Sequence, residues 1–408
     1  MDRDGRTGSG GGRRRVLITG LGVVASCGVG LQEFWAGLLR PHGPERVREV
    51  EGDVPGAPDQ SPAELKRYAR FTRFALAAAG EALADAALLP GAAPGGPVPG
   101  IDASRAGVYI GNGSGGTAER AAQDIAFHER GRRGVSPLTV PKAMPNAASA
   151  AVSIRWGLRG PCETVSTACA SGTHSLAGAA LAIASGRIDI AVAGGAEASL
   201  TGASIAAYDN MRALSMSGVS RPFDRDRDGF VLSEGAGVLV LESAEHAAAR
   251  GARAYAELAG AASNSDAHHM TAPRPGGTGA QDCMRLALED AGLVPEDVVH
   301  INAHGTSTRF NDAAEAHAVS ALFGGRPAVT SIKGVTGHSL GAAGAIEAVA
   351  SALSYAHRTL PPTNGTGNVD PDLDIDVVLE PRPWEPGPSL SNSFGFGGHN
   401  GSVVLLPA

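Results

Sequence analysis

Lysine is almost missing from this chain: of 34 basic residues only Lys66, Lys142 and Lys333 are lysines, and the rest are arginines. Arginine serves most surface ion pairs equally well, so Lys333 stands out as a position where a compact ammonium has a use. Cysteine is sparse too. Cys27, Cys162, Cys169 and Cys283 are too few and too scattered for a disulfide framework, which places the chain in a reducing cytoplasm. No apolar run reaches the roughly 20 residues of a membrane span, so no membrane partner is expected. Positive charge is in deficit. A net charge of −7 argues against a general nucleic-acid partner.

What is present is a globular composition, with 408 residues, 43% hydrophobic and 18% charged, enough for one large unit or two ordinary domains. Arg13-Arg14-Arg15 before an apolar stretch ending at Cys27 imitates an export signal. Gly20 and Gly22 interrupt it, and the stretch reads instead as a buried strand and turn. Residues 1–13 read as a disordered tail. Beyond them, short apolar runs alternate with Ala-rich helical patterns, the signature of an α/β fold with buried strands. Strands are predicted at 16–19, 107–111, 188–194, 238–242, 298–303, 329–332, 377–379 and 402–406. Helices are predicted at 62–87, 170–185, 278–291, 312–322 and 342–356, and Pro/Gly-rich loops at 41–61 and 89–99. A faint internal repeat links Cys169-Ala-Ser-Gly-Thr-His-Ser-Leu-Ala-Gly to Gly337-His-Ser-Leu-Gly-Ala-Ala-Gly, each opening a small-residue helix.

The chemistry-bearing residues cluster in four motifs. Val165-Ser-Thr-Ala-Cys169-Ala-Ser-Gly172 sets one cysteine between small residues, just before a helix pattern. A helix N-terminus favours the thiolate, and small neighbours leave backbone N–H groups open for an oxyanion. Read alone, this could equally be a buried structural cysteine. His304-Gly-Thr-Ser-Thr308 follows an apolar run; Ser331-Ile-Lys333-Gly-Val-Thr-Gly-His338-Ser-Leu-Gly341 comes next; Ser391-Asn-Ser-Phe-Gly-Phe396-Gly-Gly398 stands near the end. One cysteine, two histidines beside glycines and a lysine form a nucleophile-plus-base set.

In order and context, these motifs resemble the β-ketoacyl synthases, the decarboxylating condensing enzymes of fatty acid and polyketide assembly, over about residues 14 to 406. The resemblance implies a thiolase fold, with two duplicated αβαβα halves, 14–255 and 256–408, forming a five-layered core around the site. It implies that Cys169 carries the acyl chain, that His304 and His338 stabilise the enolate formed on decarboxylation, and that Lys333 holds His304. By the same resemblance the Cys169 and Phe396 N–H groups form an oxyanion hole, with Phe396 as gate. Thr271, Thr306 and Thr308 match positions that bond the phosphopantetheine arm, and Glu315 and Asp312 match supporting acidic positions. No metal and no free cofactor is implied, because the substrates ride on the phosphopantetheine of an acyl carrier protein. Lys66, Arg67, Arg70 and Arg73, about one turn apart on the predicted helix, form a basic stripe that suits an acidic carrier protein, or equally a solvated face. His174 reads as a packing residue, and Arg221-Pro-Phe-Asp-Arg-Asp-Arg-Asp228 as a structural segment.

Rival readings exist. Gly337-His-Ser339-Leu-Gly341 fits the serine elbow of hydrolases and acyltransferases, with His357 or His399 as partner, but leaves Cys169 and His304 unexplained. Thiolases need a second cysteine as base, and none follows Cys283. A non-catalytic chain-length partner would lack Cys169. Thr308-Arg-Phe-Asn-Asp312 and Gly337 to Gly341 resemble the ketosynthase of type II polyketide synthases, working as a heterodimer with a chain-length-factor-like subunit on reduced or polyene chains. The Cys169 and Phe396 motifs resemble the fatty acid elongating synthase II, working as a homodimer.

Overall fold

The computed structural model describes residues 13–52, 54, 60–89 and 96–408. The expected tail lies outside these except for Arg13, which pairs with Asp290.

Most of the long apolar runs form buried strands of one central sheet. Among the described residues its strands are β1 (Val16–Ala25), β2 (Ala106–Gly111), β3 (Cys162–Glu163), β4 (Ile190–Glu197), β5 (Gly235–Ser243), β6 (Ala256–Ser265), β7 (His300–Asn302), β8 (Ala328–Thr330), β9 (Asp376–Val377), β10 (Ser389–Gly395) and β11 (His399–Pro407). Their order is β9-β8-β7-β10-β11-β6-β1-β5-β4-β2-β3, with a short Gly28–Val29 strand off β1. The sequence repeat is written into this order. From β1 outward the pairings run antiparallel to β5, antiparallel to β4, then parallel to β2 and β3; from β6 outward they run antiparallel to β11, antiparallel to β10, then parallel to β7 and β8. The two sets meet only at Leu17–Glu257 and Ile18–Ala256.

Five main helices complete the layers: α1 (Arg70–Asp85), α2 (Ser171–Ala184), α3 (Thr278–Ala291), α4 (Arg309–Phe323) and α5 (Ala343–His357). The α2 and α5 helices lie between the two strand sets and touch both, while α1 covers the outer face of one set and α3 that of the other. The result is the five-layered duplicated architecture expected. Small residues on α2 and α5 permit it: Gly172 on α2 faces the Ala345 backbone so closely that a Cβ would lie 2.8 Å from its nitrogen.

Two strands escape the hydrophobic pattern. The β6 and β10 strands are rich in Ala, Gly, Ser and Asn, residues of low strand propensity. Close packing explains β6, because a Cβ on Gly260 would sit 2.6 Å from the Ala287 carbonyl of α3. The helix predicted at 62–87 is broken into Pro62–Leu65 and α1.

Candidate active site

The turn that carries Cys169 is strained. Ala168, immediately before Cys169, holds φ at +51°, and the Ser171 hydroxyl pins the turn by donating to the Ala168 carbonyl at 2.6 Å and accepting from Thr167 N–H at 2.9 Å. Ser307 and Leu340, in the two histidine motifs, also have positive φ. Such non-glycine strain gathers where backbone must present groups to a site. The turn sets Cys169 just ahead of α2, 7% exposed, with Sγ 3.0 Å from His338 Nε2. Burial pushes its thiol up to about 12, against the pull of the Lys333 charge and the Phe396 N–H. Desolvation therefore works against the thiolate that the helix terminus favours, at a sulfur that stands beside an imidazole.

The two histidines differ. His304 Nδ1 faces Lys333 Nζ at 3.3 Å. Lys333 is fully buried and also pairs with Glu347 of α5. An ammonium only donates, so His304 Nδ1 accepts and its proton sits on Nε2. Glu315 of α4 clamps the backbone of this motif, accepting from His304 N–H and Gly305 N–H at 2.8 Å each. Asp312 accepts from Phe223 N–H at 2.8 Å and Ser307 N–H at 3.2 Å. Burial raises the carboxyls of Glu315, to about 7, and Asp312, to about 6. His338 has no such lock: among the described residues its Nδ1 has no hydrogen-bond partner. Its ring packs edge-on against Phe230 at 5.1 Å and His304 at 5.4 Å. Burial first, then the Lys333 charge, holds both imidazoles well below their ordinary value, so both are neutral.

These groups converge on a cavity of about 510 Å³ that also reaches Thr271, Thr306, Thr308, Tyr208 and Phe396. Thr306 and Thr308 join hydroxyls at 2.9 Å. Phe396 stands half-buried between Gly395 and two glycines of positive φ, Gly397 at +86° and Gly398 at +75°, a backbone built for a turn that L side chains resist.

The basic stripe is not gathered on one helix face. Lys66 and Arg67 lie exposed in the turn before α1. Arg70 turns inward to the buried Glu234 at 2.6 Å and over the Phe74 ring at 4.8 Å, and Arg73 is half-buried on α1. His174 packs as expected, between Thr167 Oγ1 at 2.8 Å and the Asn400 carbonyl at 3.0 Å. In the charged segment Asp224 and Arg227 are 4% exposed; Asp224 accepts from Gly367 and Asn368 N–H, and Arg227 pairs with Asp370 at 2.6 Å. The partners nominated for a serine elbow stand elsewhere: His357 stacks on Trp35 at 4.4 Å, and His399 lies against Gly397. Sequence reasoning missed Glu347 and Glu197. Glu347 is the single carboxylate in the apolar α5, which was a legible signal. Glu197, at the end of the wholly buried β4, accepts from Gly113 N–H at 2.8 Å and Gly341 N–H at 3.3 Å, tying the His338 motif to β2.

Known proteins resemble this chain over most of its length. Residues 52–247 match the family "Beta-ketoacyl synthase, N-terminal domain" and residues 255–366 "Beta-ketoacyl synthase, C-terminal domain". The chain is 39% identical over 415 residues to a 3-oxoacyl-[acyl-carrier-protein] synthase 2 from Synechocystis sp., covering 96% of this chain and 98% of that one. Among solved structures, the ishigamide ketosynthase/chain length factor superposes with a TM-score of 0.86 at 34% identity, covering 97% of this chain and all of that one. A type II polyketide ketosynthase bound to a hexaketide, in complex with its acyl-carrier protein, gives a TM-score of 0.85 at 33% identity with the same coverage.

Proposed function

The chain belongs to the β-ketoacyl synthase family, and from that premise we propose that Cys169 takes an acyl chain and condenses it with a decarboxylating malonyl-carrier protein. The observation that carries this reading is the convergence of one thiol and two neutral histidines of unequal tautomeric freedom on a single cavity. We take the two thiolase-type halves to be 14–255 and 256–408.

In the first half-reaction His338 Nε2 accepts the thiol proton while Sγ attacks the acyl thioester. Cys169 and Phe396 N–H groups receive the oxyanion, and the carrier thiol leaves with the proton. In the second, the malonyl arm lies along Thr271, Thr306 and Thr308. His304 acts as a fixed Nε2–H donor, and His338, whose unpartnered Nδ1 leaves it free to change to the Nε2–H tautomer, as the second donor to the thioester oxygen. CO2 departs, its bonding electrons form the enolate, and the enolate carbon attacks the Cys169 thioester. A carbon–carbon bond forms, the C–S bond breaks with its electron pair leaving on Sγ, and the Cys169 thiolate takes a proton from water to return to the thiol. Lys333, anchored by Glu347, is a positioning residue that keeps the His304 proton on Nε2. The substrates arrive on carrier-protein phosphopantetheine, and Lys66 and Arg67 remain exposed for an acidic carrier to meet.

Within the family we place the chain with the type II polyketide ketosynthases, paired with a cysteine-lacking homologous subunit. The likeness to the ishigamide ketosynthase/chain length factor supports this. So does the free edge at β3. Ile154 and Leu181, 77% and 62% exposed, lie on helices packed against β2 or β3, an apolar surface that suits a partner. A second copy docked edge to edge about a two-fold would bring exposed Glu163 near its own duplicate, which disfavours a homodimer. The second reading, an elongating fatty acid synthase, is favoured by the 39% identity to the Synechocystis synthase. Mass spectrometry after incubation with acyl-carrier protein tests the chemistry: the acyl group is expected on Cys169, and its appearance on Ser339 would overturn the reading. Expressing the chain alone tests the pathway. A stable homodimer that elongates malonyl-carrier protein unaided would remove the heterodimer proposal and favour fatty acid synthesis.

A further inference from the structure

Cys169, His304 and His338 each offer one ligand atom, and these three atoms lie within 4.8 Å of one another. The thiol sulfur is 3.0 Å from His338 Nε2, and all three side chains are buried. One thiolate and two imidazoles are a donor set that Zn2+ holds at about 2.0–2.3 Å, which spaces neighbouring ligand atoms about 3.3–3.6 Å apart in a tetrahedron. Closing the trio to that spacing takes about an ångström. A soft divalent ion therefore finds here a nearly assembled three-ligand site with the cavity as its fourth, open position.

One group stands against capture. Lys333 Nζ lies 3.3 Å from His304 Nδ1, and Glu347 anchors it there. The ammonium donates to Nδ1 and so leaves the proton on Nε2, the ring nitrogen that Lys333 does not occupy. A protonated nitrogen cannot ligate. For His304 to bind a metal, its proton must move to Nδ1, where it would face the protons of Lys333. The same ammonium also repels a dication in a site with little water to screen it. We propose that Cys169, His304 and His338 form a latent soft-metal site, and that Lys333 keeps it closed. The lysine that makes His304 a hydrogen-bond donor also stops the trio from trapping Zn2+. When metal does enter, the thiol proton is released, Sγ and His338 Nε2 ligate, and the His304 proton shifts to Nδ1 to free Nε2.

The test reads metal binding rather than condensation, so it is decided separately from the enzymatic assignment. Wild type, Lys333→Met, and Lys333→Met with Cys169→Ser are titrated with Co2+ as a visible probe and then with Zn2+ as competitor. Lys333→Met is expected to bind one Co2+ per chain at least tenfold more tightly than wild type, within the 10–100-fold scale of effects from groups just outside a metal's ligands. It is expected to show a near-ultraviolet thiolate-to-cobalt absorption that Zn2+ removes and that Cys169→Ser abolishes. Because Lys333→Met leaves Glu347 buried without its cation, Lys333→Met with Glu347→Gln is titrated alongside and is expected to show the same gain. Equal affinity in wild type and in the folded lysine variants would overturn the guarding role of Lys333. An absorption that survives Cys169→Ser would overturn the site.

Discussion

Gly395→Ala places one methyl group against the Cys169 turn, where the proposed oxyanion hole would close. A Cβ at Gly395 would lie 2.8 Å from the Thr167 carbonyl, 3.1 Å from the Cys169 nitrogen and 3.3 Å from the Ala170 nitrogen. All three are backbone atoms of the nucleophile turn, which is pinned by Ser171 and strained at Ala168, so no flexible side chain can swing away. Relief requires β10 and the turn to part by a few tenths of an ångström. The contact lies between the Cys169 and Phe396 N–H groups, the pair proposed above to receive the oxyanion. Overpacking of this kind costs about 1–3 kcal/mol of stability. Losing an oxyanion donor outright costs about 10²–10³ in rate, and an ångström of misplacement about 10². We therefore expect Cys169 acylation to slow by about 10–100-fold, with a lower melting temperature. The assay is time-resolved mass spectrometry of Cys169 acylation from an acyl-carrier thioester. Gly367→Ala is the control, because nothing lies within 4 Å of its added Cβ. If Gly395→Ala acylates within twofold of Gly367→Ala, the argument from this contact fails.

Three further outcomes follow from the same geometry. Replacing His304 with Ala should leave Cys169 acylation measurable while CO2 release from malonyl-carrier protein falls by roughly 10²-fold or more, and equal loss in both half-reactions would contradict its role as a donor in decarboxylation alone, whereas His338→Ala, which removes the base as well as a donor, should slow both. Glu347→Ala strands the buried Lys333 charge and should destabilise the fold by about 3–5 kcal/mol in denaturant titration, whereas adding Lys333→Met should recover much of it; additive losses would show that the pair is not coupled. Burial and the Lys333 charge hold both histidines well below 6.5, so lowering the pH from 7.5 to 6 leaves both neutral and His338 able to accept the thiol proton. Acylation should change less than twofold over that range, and a decline that follows an apparent pKa near 6.5 would refute neutral, buried imidazoles.

The motifs that carry the site are local, and they are legible in the sequence. Cys169 before a helix, two histidines beside glycines, an isolated Lys333 and a Gly-Phe-Gly-Gly turn each declare themselves through residue type and spacing. The helix at Thr278–Ala291 falls where it is predicted, and so do the wholly apolar strands, because periodicity and continuous burial mark the sequence directly. The repeat of Cys169 and Gly337 segments anticipates the duplicated sheet. What the sequence leaves open is settled by groups that arrive from far along the chain. The β6 and β10 strands are held by packing against α3 and by pairing with β11, so their small side chains give no strand signal. Arg70 meets Glu234 across 164 residues of chain and leaves the surface stripe. Glu347 meets Lys333 from another helix, and Lys333 sets the tautomer of His304. The state of Cys169 is decided the same way. Its helix terminus favours a thiolate, but distant segments bury the sulfur, and that desolvation works in the opposite direction.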